Sequence, residues 1–152
     1  LRAVLAAHLP LLFGLCIILL YSLVRFGLVS PLLPLIVPVV LAQLMLLCGV
    51  ALFLSALAVY IKDTRDLVQF FTAFGIFLMP VIYLPGSLPG WFDIVLYLNP
   101  FSYAVWCLQD IFFFRSIAHP AAWIILALMS PAILFLGFRF FERTRSGFGD
   151  AL

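Results

Sequence analysis

The sequence predicts an all-α integral membrane protein with four transmembrane helices and an outer re-entrant helical hairpin. Three observations carry that expectation. Hydrophobic residues make up 67% of the 152 positions and charged residues only 9%, a balance that excludes a soluble core and places the chain among membrane proteins. Uncharged runs recur at the length a bilayer demands, about 20 residues. Between the last two of them lies LMPVIYLPGSLPGWFDIVLYLNPFSY (Leu78 to Tyr103), whose prolines and glycines are too frequent for a straight helix. The net charge of +2 is too small to attract nucleic acid, and it matters through its distribution among the loops. Cys16, Cys48 and Cys107 sit in apolar runs without metal or redox spacing and read as small apolar residues. The chain begins with Leu1 and lacks the basic start and cleavage site of a signal peptide, so 1–152 reads as one transmembrane domain that lacks an N-terminal part.

The first span covers about 3–24 and ends near Arg25. His8, close to a helix end, reads as packed or interfacial in preference to a proton relay. Ser30 before Pro31 is an N-cap followed by proline at the first helical position, so a second span starts there and runs over 31–61. It has no charge before Lys62, and Pro34 and Pro38 should loosen its first turns. At that length it tilts or projects from a bilayer.

YIKDTRD (Tyr60 to Asp66) concentrates charge between two apolar runs. Asp63 and Asp66, three apart, have a spacing that can hold a divalent metal and a phosphate, as an enzyme of lipid-linked phosphates would require. The stronger reading is structural: one acid at an N-cap, one in the first turn, and Lys62 and Arg65 marking the cytoplasmic side. No further carboxylate, His or Lys recurs at membrane depth to complete a catalytic set.

A third span is expected at 67–84, with Phe70, Phe74 and Phe77 at helical spacing. Such a stripe faces lipid or a neighbouring helix, or it lines a path on which sugar C–H groups slide over flat rings. Pro80 and Pro85 end this span, and Gly86, Pro89 and Gly90 allow a reversal. The return, Ile94 to Gln109, is uncharged but divided by Asn99 and Pro100 into halves too short to cross. A hairpin over 86–110 therefore stays on one side, and irregular backbone there needs protein or water to receive its polar groups, as at a pore mouth. The last span covers 121–138. With the N-terminus, the 60s turn and the C-terminus inside, six basic residues lie inside (Arg2, Lys62, Arg65, Arg139, Arg143, Arg145) and two outside (Arg25, Arg115), as the positive-inside bias requires. Trp91, Tyr97, Tyr103, Trp106 and Trp123 then gather at the outer interface.

The order of a cytoplasmic Arg65-Asp66, a span ending in PVIY (Pro80 to Tyr83), an outer Asn99-Pro100 and a closing FRFFERTRSGFGD resembles the permease subunit of ABC-2 polysaccharide exporters, among them O-antigen and teichoic-acid permeases. The resemblance covers nearly the whole chain and corresponds to the C-terminal four of six spans. Met79 departs from it, where that family often has Ser before the proline.

The resemblance implies the type V ABC exporter fold in a bacterial inner membrane, with a cytoplasmic C-terminus and a homodimer of permeases enclosing a channel. It implies separate ATP-binding subunits that carry ATP and Mg, no cofactor and no catalysis in this chain, a lipid-linked glycan as substrate, and membrane lipids as surroundings. Lys62, Asp63, Arg65 and Asp66 would meet the ATP-binding subunit, and Phe70, Phe74, Phe77 and Tyr83 would line the channel. Pro80, Pro85, Trp91, Asn99, Pro100 and Tyr103 would build a gate. Two alternatives stay open: an ABC-2 permease for drugs or small lipids, and a membrane-embedded polyprenyl-phosphate transferase.

Overall fold

Three long helices carry the fold, each built on an uncharged run. The computed structural model describes residues 2–27, 30–61, 63–81, 83 and 89–145. Among them, three helices are long and apolar enough to cross a membrane: Val4–Arg25, Leu33–Tyr60 and Pro120–Thr144. Helix α1 (Arg2–Phe26) contains Pro10 and is closed by Gly27 in the left-handed region at φ 67, its N–H bonded to the Leu23 carbonyl at 2.9 Å. Helix α2 (Ile36–Tyr60) starts five residues later than the Ser30-Pro31 signal predicts. Ser30 Oγ does accept the Leu32 N–H at 3.3 Å, but Pro34 cannot donate, and the chain first makes a 3-10 turn over Leu33–Leu35. Pro38 falls in the first turn of α2, where a missing N–H costs no intrahelical bond.

Helix α6 (Pro120–Thr144) packs along α2 through a seam of small and branched residues. Val39, Leu46, Gly49 and Ala56 of α2 and Ala122, Leu126, Ser130 and Gly137 of α6 are all buried. At the centre the backbones touch: a Cβ on Gly49 would lie 2.5 Å from the Ile133 carbonyl oxygen, and one on Gly137 would strike the Gly49 carbonyl. In lipid, where the hydrophobic effect does not join helices, such close approach supplies the dispersion that does. Phe53 and Phe140 extend the contact with ring centroids 4.7 Å apart, and Tyr60 Oη donates to the Thr144 carbonyl at 2.9 Å. The two helices therefore run parallel, so the chain between them must return to the starting end.

That return differs from the expected span at 67–84. Among the described residues there, α3 (Thr64–Gly75) is α-helical, followed by a 3-10 turn, Ile76–Leu78, and an extended Met79. Twelve α-helical and three 3-10 residues rise about 24 Å in all, short of the roughly 30 Å hydrocarbon core. The cause is local. Pro80 disfavours helical backbone at Met79, and the Val81 N–H bonds back to the Met79 carbonyl at 2.8 Å in a three-residue turn centred on the proline.

Helix α4 (Gly90–Leu98) and helix α5 (Ser102–Gln109) follow, separated by Asn99, Pro100 and Phe101. A π-helical turn, Asp110–Phe114, continues α5 and ends at Arg115, which adopts φ 54. The main core lies here. Tyr103, Ala104, Trp106, Cys107, Ile111 and Phe112 pack against Leu15 of α1, Val39 of α2, Leu96 of α4, and Ala122 and Leu126 of α6. The hairpin is thus held in the core at the end where α2 and α6 begin, away from the 60s turn.

Candidate functional site

The hairpin is fastened to the end of the return segment by two side-chain amides. Asn99 Nδ2 donates to the Leu78 carbonyl at 2.8 Å, and Gln109 Nε2 donates to the Pro80 carbonyl at 2.6 Å. Leu78 ends the 3-10 turn and Pro80 lies beyond it, so each amide serves a carbonyl where the helical ladder has stopped. Asn99 serves twice, because its Oδ1 accepts the Phe101 N–H at 3.0 Å and so shapes the corner between α4 and α5. Tyr103 Oη donates to the Tyr97 carbonyl at 2.6 Å at the end of α4. Pro80 is buried and Pro100 half-buried at this junction. Tyr83 meets the hairpin edge-on, its ring 5.6 Å from that of Phe92. Trp91 is 67% exposed with its ring edge-on to Phe92 at 5.6 Å, and Pro85 lies outside the described residues.

Behind these amides sits a buried carboxylate. Asp110 is fully buried, and three donors surround it: the His119 N–H at 3.0 Å and Trp123 Nε1 at 2.9 Å on Oδ2, and His119 Nδ1 at 2.8 Å on Oδ1. A carboxylate only accepts, so Nδ1 carries the proton of that bond. His119 is the N-cap position of α6, where an anion also meets the favourable end of the helix dipole. The His119 ring lies parallel to Trp106 at 6.0 Å and edge-on to Phe114 at 5.6 Å. Asp110 thereby ties the end of the hairpin to the start of a long helix. Burial first, and then the Asp110 charge, push the Cys107 thiol up to about 12, so it stays a thiol, packed as a small apolar residue.

Asp110 and Gln109 are each a polar side chain closing an apolar run, and their partners show only in the fold. The five aromatic residues expected together at an outer interface separate: Tyr103 and Trp106 are buried in the core and Trp123 donates to Asp110. Trp91 and Tyr97 remain exposed. An apolar neighbourhood looks the same in sequence for an interfacial ring and a packed one.

At the opposite end, Asp63 precedes α3 and its carbonyl accepts the Leu67 N–H at 3.1 Å, while Asp66 lies in the first turn. Asp63, Arg65 and Asp66 are exposed, and Lys62 lies outside the described residues. Thr64 between them is buried, with no hydrogen-bond partner for its Oγ1. Among the described residues no three His, Cys, Asp or Glu side chains gather as a metal site would require. Along α3 and the 3-10 turn that follows it, Phe70, Phe74 and Phe77 are 58%, 51% and 51% exposed, and the Phe70 and Phe74 rings lie tilted at 44° with centroids 4.6 Å apart.

Long apolar helices, two of them packed in parallel, with a broken hairpin clamped in the core at one end, define a multi-spanning membrane protein. Residues 4–113 match the ABC-2 type transporter family. The match spans most of the chain, and the chain belongs to that family. No curated protein and no solved structure matches it. Membership makes the chain a membrane permease component of an ABC exporter, a transport part without catalysis of its own, and implies an ABC ATP-binding partner.

Proposed function

We propose that the chain is the permease subunit of an ATP-driven exporter that moves a lipid-linked polysaccharide across the bacterial inner membrane. Two copies enclose the path, and residues 86–110 form its outer gate. The observation that carries this reading is the pair of amide bonds from Asn99 and Gln109 to the Leu78 and Pro80 carbonyls. Each bond is worth about 1 kcal/mol net and is exchangeable with water, so the hairpin is held closed by contacts that a small movement of the return segment can release. Tyr60 and Thr144 bring the ends of α2 and α6 together, which supports a common cytoplasmic side for the 60s turn and the C-terminal arginines. There Lys62, Asp63, Arg65 and Asp66 would receive the push of the ATP-binding subunits, whose ATP and Mg are not bound by this chain.

The glycan is supported by the rings of Phe70, Phe74 and Phe77 on α3 and its 3-10 turn, each more than half exposed. In a dimer they offer flat apolar surfaces to sugar C–H groups. The polyprenyl-phosphate transferase gains nothing from the geometry: Asp63 and Asp66 are exposed at one end, while Asp110 at the other has its oxygens occupied. The test is alanine at Phe70, Phe74 and Phe77 singly, with surface glycan and protein abundance measured together. Export lowered severalfold at normal abundance for at least one variant is the expected result. Normal export from all three removes the glycan path from α3.

A further inference from the structure

Phe135, Arg139 and Arg143 follow at four-residue steps along α6 and so form one stripe. The Arg139 guanidinium carbon lies 5.7 Å from the centre of the Phe135 ring, within cation–π range. Both arginines are exposed, and among the described residues neither makes an ion pair; Glu142 instead pairs with Arg145 at 3.3 Å. Beside Phe135, α2 and α6 leave a groove of about 460 Å³ lined by Leu44, Cys48 and Leu52 on one wall and Pro131, Leu134 and Phe135 on the other. Such a volume suits a ligand of considerable size. Its lining offers no strong hydrogen-bonding group, so a polar ligand gains nothing there. The apolar channel and the two unpaired cations adjoin at Phe135, where the helix leaves its apolar run.

We propose that the groove and the two arginines form a binding site for an anionic membrane phospholipid. One acyl chain lies between α2 and α6, and the phosphate rests on Arg139 and Arg143. A second copy of an apolar helix would fill the groove but leave both cations without counter-charge. An anionic lipid meets both features, and guanidinium groups match phosphate oxygens in pairs of hydrogen bonds. The bound lipid bridges the two parallel helices near the end where Tyr60 meets Thr144. The site does not depend on which way the chain faces or on what it exports.

The test uses the full chain in nonionic detergent micelles, titrated with phosphatidylglycerol or phosphatidylcholine of identical acyl chains, and native mass spectrometry to count retained lipid. Wild type is expected to retain one phosphatidylglycerol at a concentration roughly tenfold below that needed for phosphatidylcholine, the scale set by two basic groups near an anionic headgroup. Arg139→Gln with Arg143→Gln should abolish that preference with helix content unchanged, and the corresponding Lys pair should restore part of it. Leu134→Trp, or Leu44→Phe from the other wall should the first fail to fold, fills the groove and should reduce retention of both lipids. Equal retention of the two lipids by wild type overturns the proposal. So does a preference that survives the Gln pair, or retention indifferent to a filled groove.

Discussion

At Asp110 the chemistry is that of a buried anion fully served by donors. Replacing it with Ala leaves the His119 N–H, His119 Nδ1 and Trp123 Nε1 without their acceptor, at a cost of about 1–3 kcal/mol for each donor that water does not reach. Asp110→Ala should therefore lower the thermal midpoint by several degrees and loosen the start of α6, seen as faster hydrogen exchange near Ala122, whereas the exposed Asp63→Ala should leave both unchanged. Gln109 and Asn99 act more gently. Asn99→Leu or Gln109→Leu should each cost about 1–2 kcal/mol and leave the hairpin partly unlatched, which a reconstituted exporter would show as leak of small solutes. Cys107 gives a reactivity check: with its thiol held up to about 12, it should resist maleimide at pH 8 in the folded chain and react only after unfolding.

At the scale of elements, the α2–α6 seam is the least tolerant part of the molecule. A methyl on Gly137 meets the Gly49 carbonyl with no flexible side chain to yield. Gly137→Ala should destabilise the protein by about 1–3 kcal/mol or more, while Gly14→Ala, with open space around it, should be neutral or slightly stabilising through better helix propensity. Thermal unfolding in one detergent compares the two directly. The long helices were legible because an uncharged run of bilayer length has few alternative readings. The division of the hairpin was legible because Asn99-Pro100 interrupts such a run. The rest was not, for physical reasons: Asp110 reaches partners nine and thirteen residues away through a π-helical turn and a left-handed Arg115, which no periodicity signals. Gly49 and Gly137 lie on different helices, and nothing local to either announces the other.

For the whole molecule, the parallel arrangement of α2 and α6 organises everything else. It forces the chain to return between them, and α3 with its 3-10 turn does so in a shorter element than the uncharged run from 67 to 92 implies. It also separates an exposed charged turn from a clamped hairpin, the arrangement an exporter needs between its motor and its exit. The topology carries its own prediction: cysteines placed singly at Asp63 and at Gly90, in a background without Cys16, Cys48 and Cys107, should react with an impermeant maleimide from opposite sides of the membrane, Gly90 from outside.

The proposed gate is tested most directly by locking it. Tyr83 and Phe92 face each other across the junction of return segment and hairpin, with ring centroids 5.6 Å apart, and neither donates the latch hydrogen bonds. Cysteines at both positions, bridged by a short cleavable linker, would hold the hairpin against the return segment in cells that depend on this permease for surface polysaccharide. Export is expected to fall to background when the bridge is complete and to recover when it is cleaved. Export that continues undiminished with the bridge complete would contradict gating and leave the hairpin a static part of the core.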